Sequence, residues 1–276
     1  MLYDKPYNPD IRPLSLKHLD RLQALQPEYW VPIEGMFRFF FEQSFCFPYV
    51  LLRDGQVVGT ANGIQNKKSA WLSHIIVAPA YQGQGLGRAL TEFILHDMLR
   101  RNNRTVSLVA TEMGRPVYAK IGFRTAGHYN FYHGESPAFQ ANDKFIRQAM
   151  HKDMKAICKL DKKMAGEDRS NMLKLHLKNG LVFERAYPRR IQGFYLPTLG
   201  EGLVVAANNH AGITLLKGHL AHAPDKIVVP AENVIVNEFL TSMGLQKFDT
   251  ASRMIYGKTI KQKANMLFNR VGGWYG

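Results

Sequence analysis

Cysteine is nearly absent. Cys46 and Cys158 are the only two in the chain, they stand far apart, and neither belongs to a CxxC pair or a Cys/His ligand cluster. Neither a disulfide framework nor a zinc site is suggested, and a reducing cytoplasm is the expected setting. Long apolar runs are missing as well, because charges interrupt each one before it could span a bilayer. The opening residues Met1-Leu2-Tyr3-Asp4-Lys5-Pro6 lack the basic-then-apolar order of a secretion signal, so a soluble protein with no membrane partner is expected. Acidic residues are scarce: 22 Asp and Glu face 36 Lys and Arg, a formal net charge of +14. That surplus favours anionic partners such as coenzyme phosphates, nucleic acid or acidic substrates, without choosing among them.

What is present begins with 276 residues, 46% of them hydrophobic, a length that suits two domains with real cores. One stretch organises the rest. Trp71 to Val77 is an apolar strand pattern, and it runs through Ala78-Pro79-Ala80-Tyr81-Gln82-Gly83-Gln84-Gly85-Leu86-Gly87-Arg88 into a helix pattern reaching about Arg100. Glycines on alternate residues let the main chain approach a ligand closely. A loop of this kind that opens a helix turns unpaired N–H groups and the positive dipole end toward phosphate oxygens.

Around it the chain reads as a mixed α/β unit. Ile11 to Leu14 is a strand candidate, and Ser15 is placed to cap a helix over Leu16 to Leu25 with Leu16, Leu19, Leu22 and Leu25 on one face. Tyr29 to Phe47 is crowded with aromatics, expected mostly in the core, with the shaping of an acceptor pocket as the second reading. Pro48 to Leu52 and Gln56 to Ile64 read as strands joined at Arg53-Asp54-Gly55, an Asp-Gly hairpin signal. After the glycine loop come a strand at Thr105 to Ala110, a short helix with Pro116 in its first turn and Gly122 at its end, and a strand at Phe123 to Phe131. A linker is expected to start at Glu135-Ser136-Pro137-Ala138.

From about Lys144 the pattern restarts: a strand at Phe145 to Arg147, a long polar helical region from His151 to Asn179, and strands near Leu181, Phe194 and Leu203. Lys226 to Pro230 then leads into a helix ending Met243-Gly244-Leu245, just as Thr105 to Ala110 leads into one ending Ile121-Gly122-Phe123. Val205-Ala206-Ala207-Asn208 likewise matches Val77-Ala78-Pro79-Ala80, so the halves are expected to share one fold. The second copy is shorter, chiefly at the glycine loop, where it has only Asn208-Asn209-His210-Ala211-Gly212.

A glycine-rich strand-to-helix turn has several owners. A dinucleotide fingerprint starting at Gly83 or Gly85 would need glycine at Arg88 or Leu90, and the strand after it carries no acidic residue for a ribose. A P-loop needs Gly-Lys-Ser/Thr, which is missing. What remains, Gln82-x-x-Gly85-x-Gly87 after Val77-Ala78-Pro79, resembles the acetyl-CoA loop of the GNAT N-acetyltransferase superfamily. Val117-Tyr118-Ala119-Lys120-Ile121-Gly122-Phe123 is similar to the Tyr-x-x-x-Gly-Phe segment that follows that family's fifth strand. The resemblance covers about residues 8 to 134, and the weaker second copy makes the whole similar to bacterial tandem-GNAT proteins.

The resemblance implies an α+β fold with a mixed sheet, in two acyl-CoA N-acyltransferase-like domains: 1–136 catalytic, 144–258 degenerate, and 259–276 a tail that packs or frays. It implies acetyl-CoA as cosubstrate, without a metal, and an amine of a small molecule or peptide as acceptor. Gln82, Gly83, Gln84, Gly85, Leu86 and Gly87 would hold the pyrophosphate with Arg88 beside them, and Ile75 and Val77 would offer main-chain groups to the pantetheine arm. Tyr118 would act as general acid toward the leaving thiolate, its alternative being a tyrosine packed on the sheet. Thr111 stands where many members carry an asparagine that contacts the coenzyme. The general base stays open among Glu34, Glu112, His74 and a water relay; alternation along the strand favours a structural or surface role for His74.

The second copy has Asn233 at the asparagine position and Leu240 where Tyr118 stands. It is expected to stabilise the first copy or to shape its acceptor pocket. A homodimer is allowed, and nucleic acid is disfavoured because no reader fold accompanies the basic charge. The rival reading from another class is a non-catalytic acyl-CoA-binding sensor.

Overall fold

The Asp54-Gly55 turn, with φ of 50° and 75°, folds the chain back on itself and starts the first sheet. The computed structural model describes residues 9–26, 32–135, 143–185, 187, 190–222, 224 and 226–275. The opening residues Met1 to Pro6, Tyr29 and Trp30 of the aromatic segment, and Ser136-Pro137-Ala138 of the expected linker lie outside these. The first half supplies β1 (Asp10–Pro13), α1 (Glu34–Glu42), β2 (Cys46–Arg53), β3 (Gln56–Asn66), β4 (Ser69–Val77), α2 (Leu86–Arg100), β5 (Thr105–Ala110), α3 (Arg115–Ile121) and β6 (Arg124–His133). The second supplies β7 (Ile146–Gln148), α4 (Met154–Ala165), α5 (Ser170–Leu175), β8 (Leu181–Arg185), β9 (Arg190–Leu196), β10 (Leu203–Ala206), α6 (Asn209–Leu220), β11 (Ile227–Pro230), α7 (Val234–Ser242), β12 (Gln246–Gly257) and β13 (Leu267–Asn269).

Two expected helices take other forms. Leu16–Leu25 is a 3-10 helix, in which a three-residue spacing of leucines stacks directly, and Leu19, Leu22 and Leu25 are buried while Leu16 is exposed. The Ser15 backbone N–H donates to His18 Nδ1 at 3.1 Å. The polar region from His151 to Asn179 is broken at Gly166 (φ 77°), which caps α4 in the left-handed conformation before α5 begins.

The strand order is β1-β2-β3-β4-β5-β12-β6-β11 in one sheet and β13-β10-β9-β8-β7 in the other. Each β2-β3-β4 neighbour is antiparallel, and β4 and β5 are parallel. β12, not foreseen from the sequence, lies between β5 and β6, and β6 lies between β12 and β11. Each half therefore lends the strand after its Tyr-or-Leu helix to the other, and the first sheet runs across both copies.

One core is likewise shared. Phe37 and Phe40 of α1 and Trp71 of β4 pack in a single cluster with Ile157, Leu160 and Met164 of α4 and with Val271 and Tyr275 of the tail. At its edge the buried Glu167 carboxylate accepts from Asn66 Nδ2 (3.1 Å), Ser69 Oγ (2.7 Å) and Trp71 Nε1 (2.9 Å), all in the first half. Asp161 and Arg169 form a buried two-bond ion pair beside it. A buried carboxylate with three donors is costly to remove, because each donor loses its partner away from water. Glu167→Ala is expected to cost about 2–4 kcal/mol in chemical denaturation, whereas truncating the exposed Arg12, paired with Asp10, should cost well under about 1 kcal/mol. Equal midpoints for the two variants would show that Glu167 does not hold the halves together.

Candidate active site

β4 and β5 pair only at Ser69–Thr105, Ala70–Val106 and Trp71–Ser107; beyond Trp71 the two parallel strands part. A register shift against β3 between Thr60 and Asn62 marks a bulge in β4, and His74 sits in it at φ 49°, a left-handed conformation that is strained for a histidine. The bulge breaks the strict alternation expected for this strand. The His74 ring is carried among Phe37 (5.5 Å), Phe40 (5.3 Å) and Trp274 (6.5 Å), and its Nδ1 is buried without a hydrogen-bond partner. Desolvation pushes its pKa down to about 4.

The glycine loop follows directly. Gly83 and Gly85 both have positive φ, 76° and 77°, and Gly85 is the N-cap of α2. The first helical bond runs from the Ala89 N–H to the Gly85 carbonyl, so the amides of Leu86, Gly87 and Arg88 precede the ladder. No neighbouring atom comes within 4 Å of a Cβ placed at Gly83 or Gly85, leaving the approach to those amides open. Gln82 folds back, donating from Nε2 to the Val77 carbonyl at 2.9 Å. Arg88 is paired with Glu92 at 2.8 Å, one turn along α2. A neighbour missed from the sequence is Arg53, whose Nη1 donates to Gln84 Oε1 at 2.5 Å and whose guanidinium lies 5.6 Å from the centre of the Tyr81 ring. Its sequence signal was the Asp54-Gly55 turn, whose placement beside the loop is a tertiary fact.

Tyr118, on α3, is half-buried, with its ring 6.2 Å from Phe123 and edge-on to it. Burial pushes its phenol up to about 12. A Cβ at Gly114 would come within 2.9 Å of Tyr118 Cε2, so glycine there makes room for the ring. Thr111 Oγ1 accepts the Gly114 N–H at 3.2 Å, tying down the turn that starts α3. Ile75, Val77, Leu86 and Tyr118 all pack on one cluster with Phe123, so the end of β4, the start of α2 and the tyrosine are brought together.

Glu34 is on α1 in an exposed pair with Arg38 at 2.9 Å, and Glu112 is exposed between β5 and α3. Among the described residues no group of three or more His, Cys, Asp or Glu is placed to hold a metal, and no helix is long and apolar enough to cross a membrane.

The second half repeats the frame without the glycine loop or the tyrosine. Asn208 caps α6, accepting the Ala211 N–H at 2.9 Å, with no glycine loop before it. Leu240 is fully buried where Tyr118 is half-buried. β10 and β11 are not paired with each other in the described structure; β13 pairs with β10, and the Arg270 N–H just after it donates to the Val228 carbonyl of β11.

Comparison with known proteins bears on the family and the fold. Residues 16–123 match the Acetyltransferase (GNAT) family profile, and residues 157–269 match an Acetyltransferase (GNAT) domain profile. The uncharacterized N-acetyltransferase YitH of Bacillus subtilis is 26% identical over 195 residues, 67% of this chain and 68% of that protein. A crystal structure from Pyrococcus horikoshii, described as a candidate acetyltransferase, has the same fold with TM-score 0.82 and 19% identity over 99% of both chains. A tandem GNAT protein from the clavulanic acid biosynthesis pathway aligns at TM-score 0.57 and 13% identity, over 91% of this chain and 98% of its own.

Two measurements probe the site without substrate. His74 and His219 are both pushed down to about 4, chiefly by desolvation. Between pH 6.5 and 4 the unfolded chain takes up protons that the folded one refuses, so stability should be full above pH 6.5 and fall as pH drops toward 4. Urea melts of His74→Phe should show a shallower fall than the wild type; an identical fall would mean His74 is not buried in neutral form. Gly85→Ala, at φ 77°, should cost about 1 kcal/mol of stability from backbone strain alone, since the added methyl meets nothing.

Proposed function

We propose that this chain, a member of the GNAT acetyltransferase family with two such domains in tandem, transfers an acetyl group from acetyl-CoA to a primary amine in its first half. Residues 1–136 are the catalytic unit, 144–258 the degenerate copy and 259–276 the tail. The observation that carries this reading is the convergence of an open strand gap, a glycine loop at a helix start and a tyrosine on one cluster. The amides of Gln82 to Gly87, with Arg88, bind the pyrophosphate. The main chain of Ile75 and Val77, left without strand partners on the β5 side, pairs with the pantetheine amides, and Thr111 lies beside it. The acceptor is the amine of a small molecule or peptide, and the setting is the cytoplasm.

The amine, once neutral, attacks the thioester carbonyl; as the tetrahedral intermediate collapses the C–S bond breaks and sulfur takes the electron pair. Proximity of two bound reactants supplies much of the rate. Tyr118 donates its phenolic proton to that sulfur. With its pKa raised to about 12 the phenol is protonated at any working pH, which suits a donor. Set against a thiol of about 8.5, full transfer is uphill by about 5 kcal/mol. Desolvation of the nascent thiolate beside the same apolar cluster raises its proton affinity and narrows that gap. The amine proton leaves through water or through one of His74, Glu34 and Glu112. His74, with its pKa near 4, is a weak base until water enters and relieves its desolvation.

Tyr118→Phe should lower kcat roughly 10²-fold while coenzyme affinity stays within about twofold, and Gly85→Asp should abolish coenzyme binding by placing a carboxylate against the phosphates. Wild-type turnover in Tyr118→Phe would remove the role given to that residue. Because the phenol is held near 12, the wild-type rate should show no alkaline fall with a midpoint near 10. Coenzyme binding with no thiol release across a panel of amines would favour a sensor instead.

A further inference from the structure

In the first half the strands after the shared frame part and leave backbone groups open. In the second half the equivalent strands, β10 and β11, also fail to pair, yet the space between them is filled. β13 pairs antiparallel to β10 through Val204–Asn269 and Val205–Leu267. On its other side the Arg270 N–H donates to the Val228 carbonyl at 2.9 Å and the Val228 N–H donates to Asn269 Oδ1 at 2.8 Å. Three further contacts match this segment to a ligand. Asn233 is the residue at the position where many family members touch the coenzyme, and its Nδ2 donates to the Leu267 carbonyl at 2.9 Å. Phe268 is fully buried against the start of α6, where a Cβ at Gly212 would lie 2.1 Å from the ring, so that helix is shaped around it. Asn269 Nδ2 donates to the carbonyls of Glu201 (2.7 Å) and Gly202 (2.8 Å).

We propose that the second half keeps a working ligand slot whose ligand has changed: in place of a coenzyme arm it binds a peptide strand, residues 267–270 of this same chain. A pantetheine arm and an extended peptide offer the same groups to parted strands, a linear series of amide donors and acceptors, so a slot built for one accepts the other. Loss of the glycine loop removed the phosphate site, and the peptide supplies instead a buried phenylalanine, which a coenzyme lacks. The captured strand then delivers the end of the chain to the first half. Tyr275 donates its hydroxyl proton to Asn66 Oδ1 at 2.7 Å, its carbonyl accepts from Arg270 Nη2 at 2.7 Å, and Trp274 lies 5.8 Å from Phe40 and 6.5 Å from His74. The inference rests on the coenzyme reading of the first half only in equating the two gaps.

Two readouts on the full chain test it. Equilibrium dialysis with coenzyme A should give one site per chain in the wild type and none in Gly85→Asp; two sites, or a site surviving in Gly85→Asp, would overturn the proposal. Hydrogen exchange reports the tail directly. Asn233→Asp keeps the oxygen that caps α7 through the Val236 N–H but loses the donor to Leu267, so exchange at the Arg270 amide should quicken at least tenfold. Phe268→Ala, which vacates the space beside Gly212, should do the same and serves if the aspartate variant does not fold. Unchanged exchange at Arg270 in the folded variant would sink the idea. If the wild type binds no coenzyme the acetyltransfer reading fails, and the exchange result still decides the fate of the tail.

Discussion

Every backbone amide buried between strands must find a partner, and two strands that part leave a row of them unmet. This constraint governs both halves of the protein. β4 and β5 separate after Trp71 and Ser107, and Ile75 and Val77 of β4, Leu86 of α2 and Tyr118 pack on one hydrophobic cluster. β10 and β11 separate too, and β13 satisfies them from within the chain. One frame thus has two outcomes: a gap left open, and a gap closed by the protein itself.

The closed gap has consequences for the open one. Holding Leu267 to Asn269 in the second half brings Trp274 and Tyr275 onto Phe40, His74 and Asn66 of the first. The exchange of β6 and β12 runs the sheet across both copies, and Glu167 binds three side chains of β3 and β4 from the other half. The second copy, which has no glycine loop, is in this way tied to β3 and β4 of the first.

Much of the local structure was legible. The Asp54-Gly55 hairpin, the glycine loop before α2, and the helix between Arg115 and Ile121 follow from turn chemistry and periodicity, which act over a few residues. The internal echo from Thr105 to Phe123 and from Lys226 to Leu245 correctly announced two copies of one fold, matched by two GNAT profiles. His74 was read as structural or surface from its place in an alternating pattern; its enclosure among Phe37, Phe40 and Trp274 comes with a bulge that shifts the register, which no local signal marks. The helix at Leu16–Leu25 is 3-10, a form that a three-residue leucine spacing satisfies as well as the α-helix, and Leu16 at its first position is exposed.

The sequence by itself determined the kind of fold, the number of copies, and the presence of a glycine loop in only the first of them, because these depend on residue type at short spacing. Tertiary structure alone decided where β12 and the tail go, why His74 is neutral and enclosed, and how Arg53 reaches Gln84. Strand partners distant in sequence are chosen by unmet hydrogen bonds and by space left in a core, and no stretch of residues carries that information alone.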